Sequence, residues 1–305
     1  MLAYILKRLG ISLLVALTVS ALTFSMIYLS GDPAIALAGE SATQEDIARI
    51  REAYGYDRPI IVQYVDWLTR ALQGDFGRSH YLGEPVAEVI FNRLPTTMLL
   101  GLFALTFALV LSIPLGVLAA IRPNSLIDRT ALTIAVIGQA MPSFWFALTL
   151  MLWLGVYWRV LPITGSDSWL NFVMPAIALG YYITPAVMRL TRAGMLDVLS
   201  ADYIRTARAK GLRPMTVLFK HALRNAIIPV VSLAAVQFGF MLGGSIVIET
   251  IFAINGLGFL AWESILRADL PMMQAIVLVL SVFYIVLTLV ADMLNAWLDP
   301  RIRVA

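Results

Sequence analysis

The sequence predicts an all-α integral membrane protein with six spanning helices and one water-facing helical insert after the first span. Three observations carry that reading. Of 305 residues, 60% are apolar and only 13% charged, with a mean hydropathy of +0.84; soluble domains average about 45–50% apolar and about 25% charged. Six stretches hold no Asp, Glu, Lys or Arg: 9–31, 94–121, 130–158, 168–188, 225–248 and 270–291, each of 21 residues or more. About 20 helical residues cross a hydrocarbon core of roughly 30 Å, and helices satisfy their own backbone where lipid cannot. The third observation is an uneven distribution of Lys and Arg among the short connections.

Lys7, Arg8, Arg122, Arg129, the eight basic residues between Arg189 and Arg224, Arg301 and Arg303 fall on one side; Arg159 and Arg267 fall on the other. The positive-inside rule then places both termini and the loop 189–224 in the cytoplasm. The first element, 1–31, reads as a retained transmembrane helix. Its uncharged run of 23 residues exceeds the 7–15-residue apolar region of a signal peptide.

The insert, 32–93, carries 6 Arg against 10 Asp or Glu. Gly31-Asp32-Pro33 is a turn signal. Thr43, with Asp46 three residues on, caps a short amphipathic helix through Ile47, Ile50 and Tyr54. After Pro59 a second helix would turn Ile61, Tyr64, Val65, Leu68 and Leu72 to one face, closed by Gly74-Asp75-Phe76-Gly77. Two roles stay open for this insert: a linker resting on the bilayer, or a docking or gating cap over the external mouth.

The remaining five spans form a core over 94–300, followed by a cytoplasmic tail, 301–305. Pro114, Pro142, Pro175 and Pro185 lie within or around the second to fourth spans, where kinks serve either packing or a moving pathway. Gln139 and Gln237 should face protein or water, as interhelical hydrogen bonds or as pathway residues. With Phe144 and Met241 they are candidates for lining a translocation path. Gly239, Gly243 and Gly244 form a small-residue pattern that permits close helix packing. Asp292 reads as an interfacial residue at the cytoplasmic end of the last span.

The loop 189–224 is the most informative segment. Ser200 is a candidate cap, Asp202 suits the positive end of a helix, and Lys210 suits its negative end. Gly211 is placed to stop the helix in a left-handed conformation, and Pro214 to open another. Tyr203, Ala207 and Leu212 offer small or apolar contacts among Arg205, Arg208 and Lys210, an arrangement that a merely solvated basic loop does not need.

The run Asp202-Tyr-Ile-Arg-Thr-Ala-Arg-Ala-Lys-Gly211 with His221-Ala-Leu-Arg-Asn-Ala-Ile-Ile-Pro229 resembles the coupling loop of ABC importer permeases of the dipeptide, oligopeptide, nickel and glutathione group. Supporting matches in order are Gly31-Asp32-Pro33, Tyr56-Asp57-Arg58-Pro59 with Gln63-Tyr64, Gly74-Asp75-Phe76-Gly77, Asn255-Gly256-Leu257-Gly258 and Pro300-Arg301-Ile302-Arg303. Ser166 to Trp169 and Gln237 to Ser245 look most like the glutathione-type branch. The general importer pattern begins Glu-Ala-Ala; here Arg205, Thr206 and Ala207 stand there, so no ion pair from that glutamate carries over.

The resemblance implies a type I ABC importer permease fold in a bacterial or archaeal cytoplasmic membrane. It implies a second homologous permease, two cytoplasmic ATPase subunits, an external solute-binding protein and surrounding lipid as partners, with no nucleic acid. Asp202, Tyr203, Arg205, Thr206, Ala207, Arg208, Ala209, Lys210, Gly211 and Leu212 would couple this chain to an ATPase. ATP and Mg would be bound by those subunits, since no G-x-x-x-x-G-K-[ST] loop occurs here.

Cofactors and catalysis within this chain are not expected. There is no cysteine, both histidines (His80 and His221) lie outside the spans, and no span holds a pair of acids. A secondary transporter or channel is the rival reading, but neither inverted repeats nor midplane charges are visible. The solute itself, whether peptide, glutathione or nickel complex, is not written in these residues.

Overall fold

The computed structural model describes residues 2–29, 31–39 and 42–298; the tail 301–305 and the Pro300–Arg303 motif lie outside them. Its elements are helical. Among the described residues four helices are long and apolar enough to cross a membrane: α1 (Leu2–Leu29), α5 (Val86–Ile121), α13 (Ile228–Phe252) and α15 (Leu270–Leu298). They cover most or all of four of the six uncharged stretches. Between α1 and α5 the insert folds as α2 (Pro33–Ala38), α3 (Gln44–Ala53) and α4 (Ile60–Leu72).

The other two uncharged stretches form interrupted rods. Α-helix α6 (Leu126–Ala140) stops before Met141-Pro142, and α7 (Ser143–Leu150) restarts and widens into a π-helical turn, Met151–Tyr157. The next rod is a 3₁₀ turn (Trp169–Phe172) and α8 (Val173–Gly180), then α9 (Thr184–Leu199), with a 63° bend at the break. Prolines set the restarts. Pro142 precedes the first residue of α7, while Pro175 and Pro185 lie in the first turns of α8 and α9, where their missing N–H groups break no helical bond. Pro114 differs, lying with Pro95 inside the uninterrupted α5.

In the insert, Thr43 and Asp46 form the expected reciprocal capping box at the start of α3. The hydrogen bond from the Thr43 side chain holds the Asp46 carboxyl below its ordinary range. Α-helix α5 begins at Val86, so the last residues of the insert, 86–93, form its first turns. On α4, Tyr64 from the Ile61–Leu72 face meets α1 together with Gln63 and Trp67, while Ile61, Val65 and Leu72 stand exposed. Aromatic and amide side chains that can both pack and hydrogen-bond win the contact with Ser20, Phe24 and Tyr28.

The chain's middle is built on α5. Gly180 of α8 lies against the Ala104 backbone, where a Cβ would overlap the carbonyl oxygen. At Gly116 a Cβ would lie 2.7 Å from the Met188 carbonyl oxygen of α9. Around these approaches Leu100, Ala104, Ala108, Met174, Ala178, Val187 and Met241 form the main buried cluster.

Polar groups tie the elements at both ends. Arg8 pairs with Asp292 at 2.8 Å, which levels the start of α1 with the end of α15; Asp292 thus has a protein partner where the sequence suggested only headgroup water. Asp128, almost wholly buried, takes two bonds from Arg192, at 2.6 and 2.7 Å, joining α6 to α9. Asp269 accepts from the Ser79 hydroxyl and the His80 amide, fixing the insert to the start of α15.

Beyond α9 come α10 (Asp202–Ala209), α11 (Pro214–Thr216), a second π-helical turn (Val217–Leu223) and α12 (Arg224–Ala226), which lead into α13. A short apolar helix, α14 (Leu257–Leu266), follows α13. Glu249 near the end of α13 is fully buried. It accepts from the Thr97 hydroxyl of α5 at 2.8 Å and from the Phe259 amide of α14 at 3.0 Å, while Thr97 accepts from the Leu257 amide at 2.7 Å. The two side chains together cap α14, satisfying amides that a helix start leaves open. A Cβ at Gly256 would collide with the Glu249 carboxyl, so glycine there makes room for the cap.

Removing this carboxyl orphans two buried donors, each costing about 1–3 kcal/mol. Glu249→Ala is expected to lower the thermal midpoint of the detergent-solubilised chain by several degrees, and Glu249→Gln by less. Size-exclusion chromatography after graded heating measures this; equal midpoints for Glu249→Ala and the parent chain would refute the cap.

Candidate functional site

Α-helix α10 is amphipathic, and its apolar side is turned inward. Ile204 is fully buried and Ala207 nearly so, against Val117 and Ala120 of α5, Met195 of α9 and Val217, Ala222 and Ala226 of the following turns. Complete burial of an isoleucine side chain stabilises by roughly 1.5–3 kcal/mol. The loop is therefore a docked strut and not a free arm.

Its ends follow from local chemistry. Ser200 does not cap α10; its hydroxyl bonds back to the Asp197 carbonyl at 2.8 Å and closes α9, leaving Ala201 as an N-cap without a side-chain bond. The serine sits within a turn of α9's last carbonyls, so it satisfies those. At the other end Gly211 is left-handed, with φ +73°. The Gly211 amide reaches the Arg208 carbonyl at 3.0 Å and the Leu212 amide reaches the Ala207 carbonyl at 3.4 Å, the paired bonds of a Schellman stop. Pro214 opens α11 at its first position, as expected.

The outward face carries Asp202, Tyr203, Arg205, Thr206, Arg208, Ala209, Lys210, Gly211 and Leu212, all exposed. Of the ten residues singled out in the sequence, only Ala207 turns inward. Its small side chain lets α10 approach α5 and α9, so it serves the dock itself. Arg205 pairs with Asp202 at 3.2 Å, both well exposed; such a surface pair contributes little. Asn225 donates to the Tyr203 hydroxyl at 2.9 Å, bracing α10 against α12. Beside it lies a groove of about 560 Å³ lined by Ile121, Leu199, Leu212, Pro214, Met215, Val217 and Leu218, with Arg208 at its edge. Met215 and Phe219 are also exposed. Sequence reasoning missed this apolar groove, because its members come from four separate elements.

The residues suggested for a path do not converge. Gln139 is exposed near the end of α6 and accepts from Arg189 at 3.3 Å. Phe144 is exposed, Gln237 is half-buried, and Met241 is buried in the main cluster. Met241 lines no open space here, since α13 turns it towards α5 and α8. Of the three packing glycines only Gly239 works within this chain: a Cβ there would lie 2.6 Å from the Tyr284 ring. Gly243 has open space around it, and Gly244 only a distant contact with Leu179.

The chain matches two family models, "Binding-protein-dependent transport system inner membrane component" over residues 112–304 and "Binding-prot-dependent transport system membrane comp, N-term" over residues 1–101. It is 42% identical to the glutathione transport system permease protein GsiC of Salmonella typhimurium and 40% identical to that of Escherichia coli K12, each over 99% of both chains. In fold it is similar to a chain of the inward-facing MetNI methionine ABC transporter, with a TM-score of 0.56 at 20% identity, over 69% of this chain and 96% of that one. A chain of an amino acid ABC transporter gives 0.51 at 18% identity, over 70% of this chain and 94% of that one. With the helical spans and the docked basic helix in place, the chain belongs to the binding-protein-dependent transport system inner membrane components and is the multi-pass permease subunit of an ABC importer.

Proposed function

We propose that this permease is one of a pair, that α10 seats in a groove of a cytoplasmic ATPase subunit, and that the solute is glutathione or a short peptide delivered by an external binding protein. The observation that carries the coupling role is the division of α10 into an inward face locked to α5 and α9 and an exposed outward face that carries Arg205, Arg208 and Lys210. A push on the outward face is passed to the helices on which the core is built. ATP and Mg²⁺ are bound and hydrolysed in two partner ATPases, whose closure shifts the permease pair between two states. In this reading both termini and α10 are cytoplasmic, and the insert faces the binding protein. The levelling of Arg8 with Asp292 supports termini on one side. The solute class rests on the 42% identity with a glutathione permease over both whole chains.

Charge reversal at the exposed Arg205 and Arg208 tests the coupling, since neither carries the dock. An interface charge turned against its partner costs several kcal/mol, so ATP-driven uptake of labelled glutathione by reconstituted vesicles should fall by at least about tenfold with membrane insertion unchanged. Uptake at the parent rate would remove α10 from the coupling role. Normal coupling but uptake of another solute only would reject glutathione while keeping the mechanism.

Docking and coupling separate in a second substitution. Ile204→Asp puts a carboxylate among apolar side chains, and is expected to loosen α10 and to abolish uptake while the ATPases still hydrolyse ATP. Hydrolysis assayed beside uptake checks this, and preserved uptake would show that the dock transmits nothing. The purified permease alone is expected to hydrolyse no ATP; turnover tracking its purity would overturn the division of labour.

A further inference from the structure

We infer that α4 of the insert is a membrane-embedded element, seated in the leaflet on the insert's side with its Ile61–Leu72 stripe against lipid acyl chains. Depth is the first argument. The uncharged run of α1 lies between Arg8 and Asp32, and Ser20 stands midway, 12 residues from each. At 1.5 Å per residue, Phe24 is then about 6 Å and Tyr28 about 12 Å beyond the membrane's middle, inside a half-thickness of roughly 15 Å.

Those are the residues that hold α4. The Tyr64 hydroxyl bonds the Ser20 hydroxyl at 2.7 Å, the Tyr64 and Trp67 rings lie 5.5 and 5.7 Å from the Phe24 ring, and Tyr28 donates to Gln63. A helix fixed to these positions cannot ride in bulk water above the bilayer.

The second argument is how α4 divides its remaining surface. Ile61, Val65, Leu68 and Leu72 follow the four- and three-residue spacing of one helical face. Ile61 is 76%, Val65 51% and Leu72 81% exposed. Asp66, Thr69 and Arg70 point elsewhere, into a cavity of about 1020 Å³ that Arg58, Asp75 and Arg78 also line. One flank is thus polar and wet, one is bound to α1, and the third is apolar and uncovered at a depth where acyl chains lie. Exposed Leu22 on the neighbouring turn of α1 continues the apolar surface. Lipid suits this flank without any further protein.

The chain has no cysteine, so single spin labels report single positions. Ile61→Cys, Val65→Cys, Leu72→Cys and, on the polar flank, Thr69→Cys are labelled in the full chain. Each is purified with whatever subunits accompany it and placed in phosphatidylcholine–phosphatidylglycerol vesicles. Collision rates with oxygen, which concentrates in lipid, and with a water-soluble nickel chelate are then measured. At 61, 65 and 72 oxygen should dominate, with an oxygen-to-nickel ratio several-fold above that at 69. Nickel collisions at 65 and 72 equal to those at 69 would place α4 in water and overturn the inference. Labels reached by neither reagent would overturn it too, since protein, such as a second permease, would then cover the stripe.

Discussion

Everything in this molecule depends on how closely other helices can approach α5. That rod runs 36 residues without a break, about 54 Å at the usual rise, although it contains two prolines. Small residues make the approach possible: Gly180 against Ala104, and Gly116 against Met188 and Thr191. In lipid no hydrophobic effect pulls one apolar helix onto another, so van der Waals contact over closely approaching backbones supplies the association. A single methyl at Gly180 would force α8 away from α5 along the main cluster.

The same rod joins the two ends of the molecule. Val117 and Ala120 near its end receive Ile204 and Ala207 of α10. Thr97, 20 residues earlier and hence about 30 Å away, bonds Glu249 and the start of α14. If α10 couples to an ATPase as proposed, displacement there is displacement of α5, and the Thr97–Glu249 cap lies on the same body. The interrupted rods, α6–α7 and α8–α9, are the places where the bundle can bend. The α-helical ladder lapses at Met141-Pro142, and between Gly180 and Thr184 it gives way to tighter turn bonds, Ile183 to Gly180 at 3.1 Å and Thr184 to Tyr181 at 3.3 Å.

How much of this could be read in the sequence depended on whether a feature is local. The Thr43–Asp46 box, the left-handed stop at Gly211, the opening of α11 at Pro214 and the four uninterrupted spans are each decided within a few residues or by one long uncharged run. Misreadings arose where tertiary choice overrode local preference. Ser200 could cap forwards or close backwards, and α9's open carbonyls took it. The apolar face of α4 named no partner, and the contact with Ser20, Phe24 and Tyr28 is made by Tyr64 from that face with Gln63 and Trp67 beside it. Glu249 ended an uncharged run, and nothing nearby announced a partner 152 residues away. The short α14 was invisible because ten residues, among them Glu263 and Ser264, fall below the length of a span.

The inward turn of Ala207 changes what the basic loop must be. A loop gripping a partner through Ala207 would have to release its own support to do so, losing the buried contacts of Ile204 as well. With Ala207 and Ile204 committed inward, a partner of the kind proposed would be bound and released while the strut stays attached. Only the exposed basic residues and the apolar groove around Leu212 and Met215 would then change neighbours. The Schellman stop at Gly211 keeps these two surfaces in fixed relation, because its bonds to Arg208 and Ala207 tie the groove-lining Leu212 to the helix that bears the charges. A flexible joint at that point would let a push on the charges dissipate in bending. If α10 couples as proposed, a left-handed glycine closed by two hydrogen bonds would pass it on to α5.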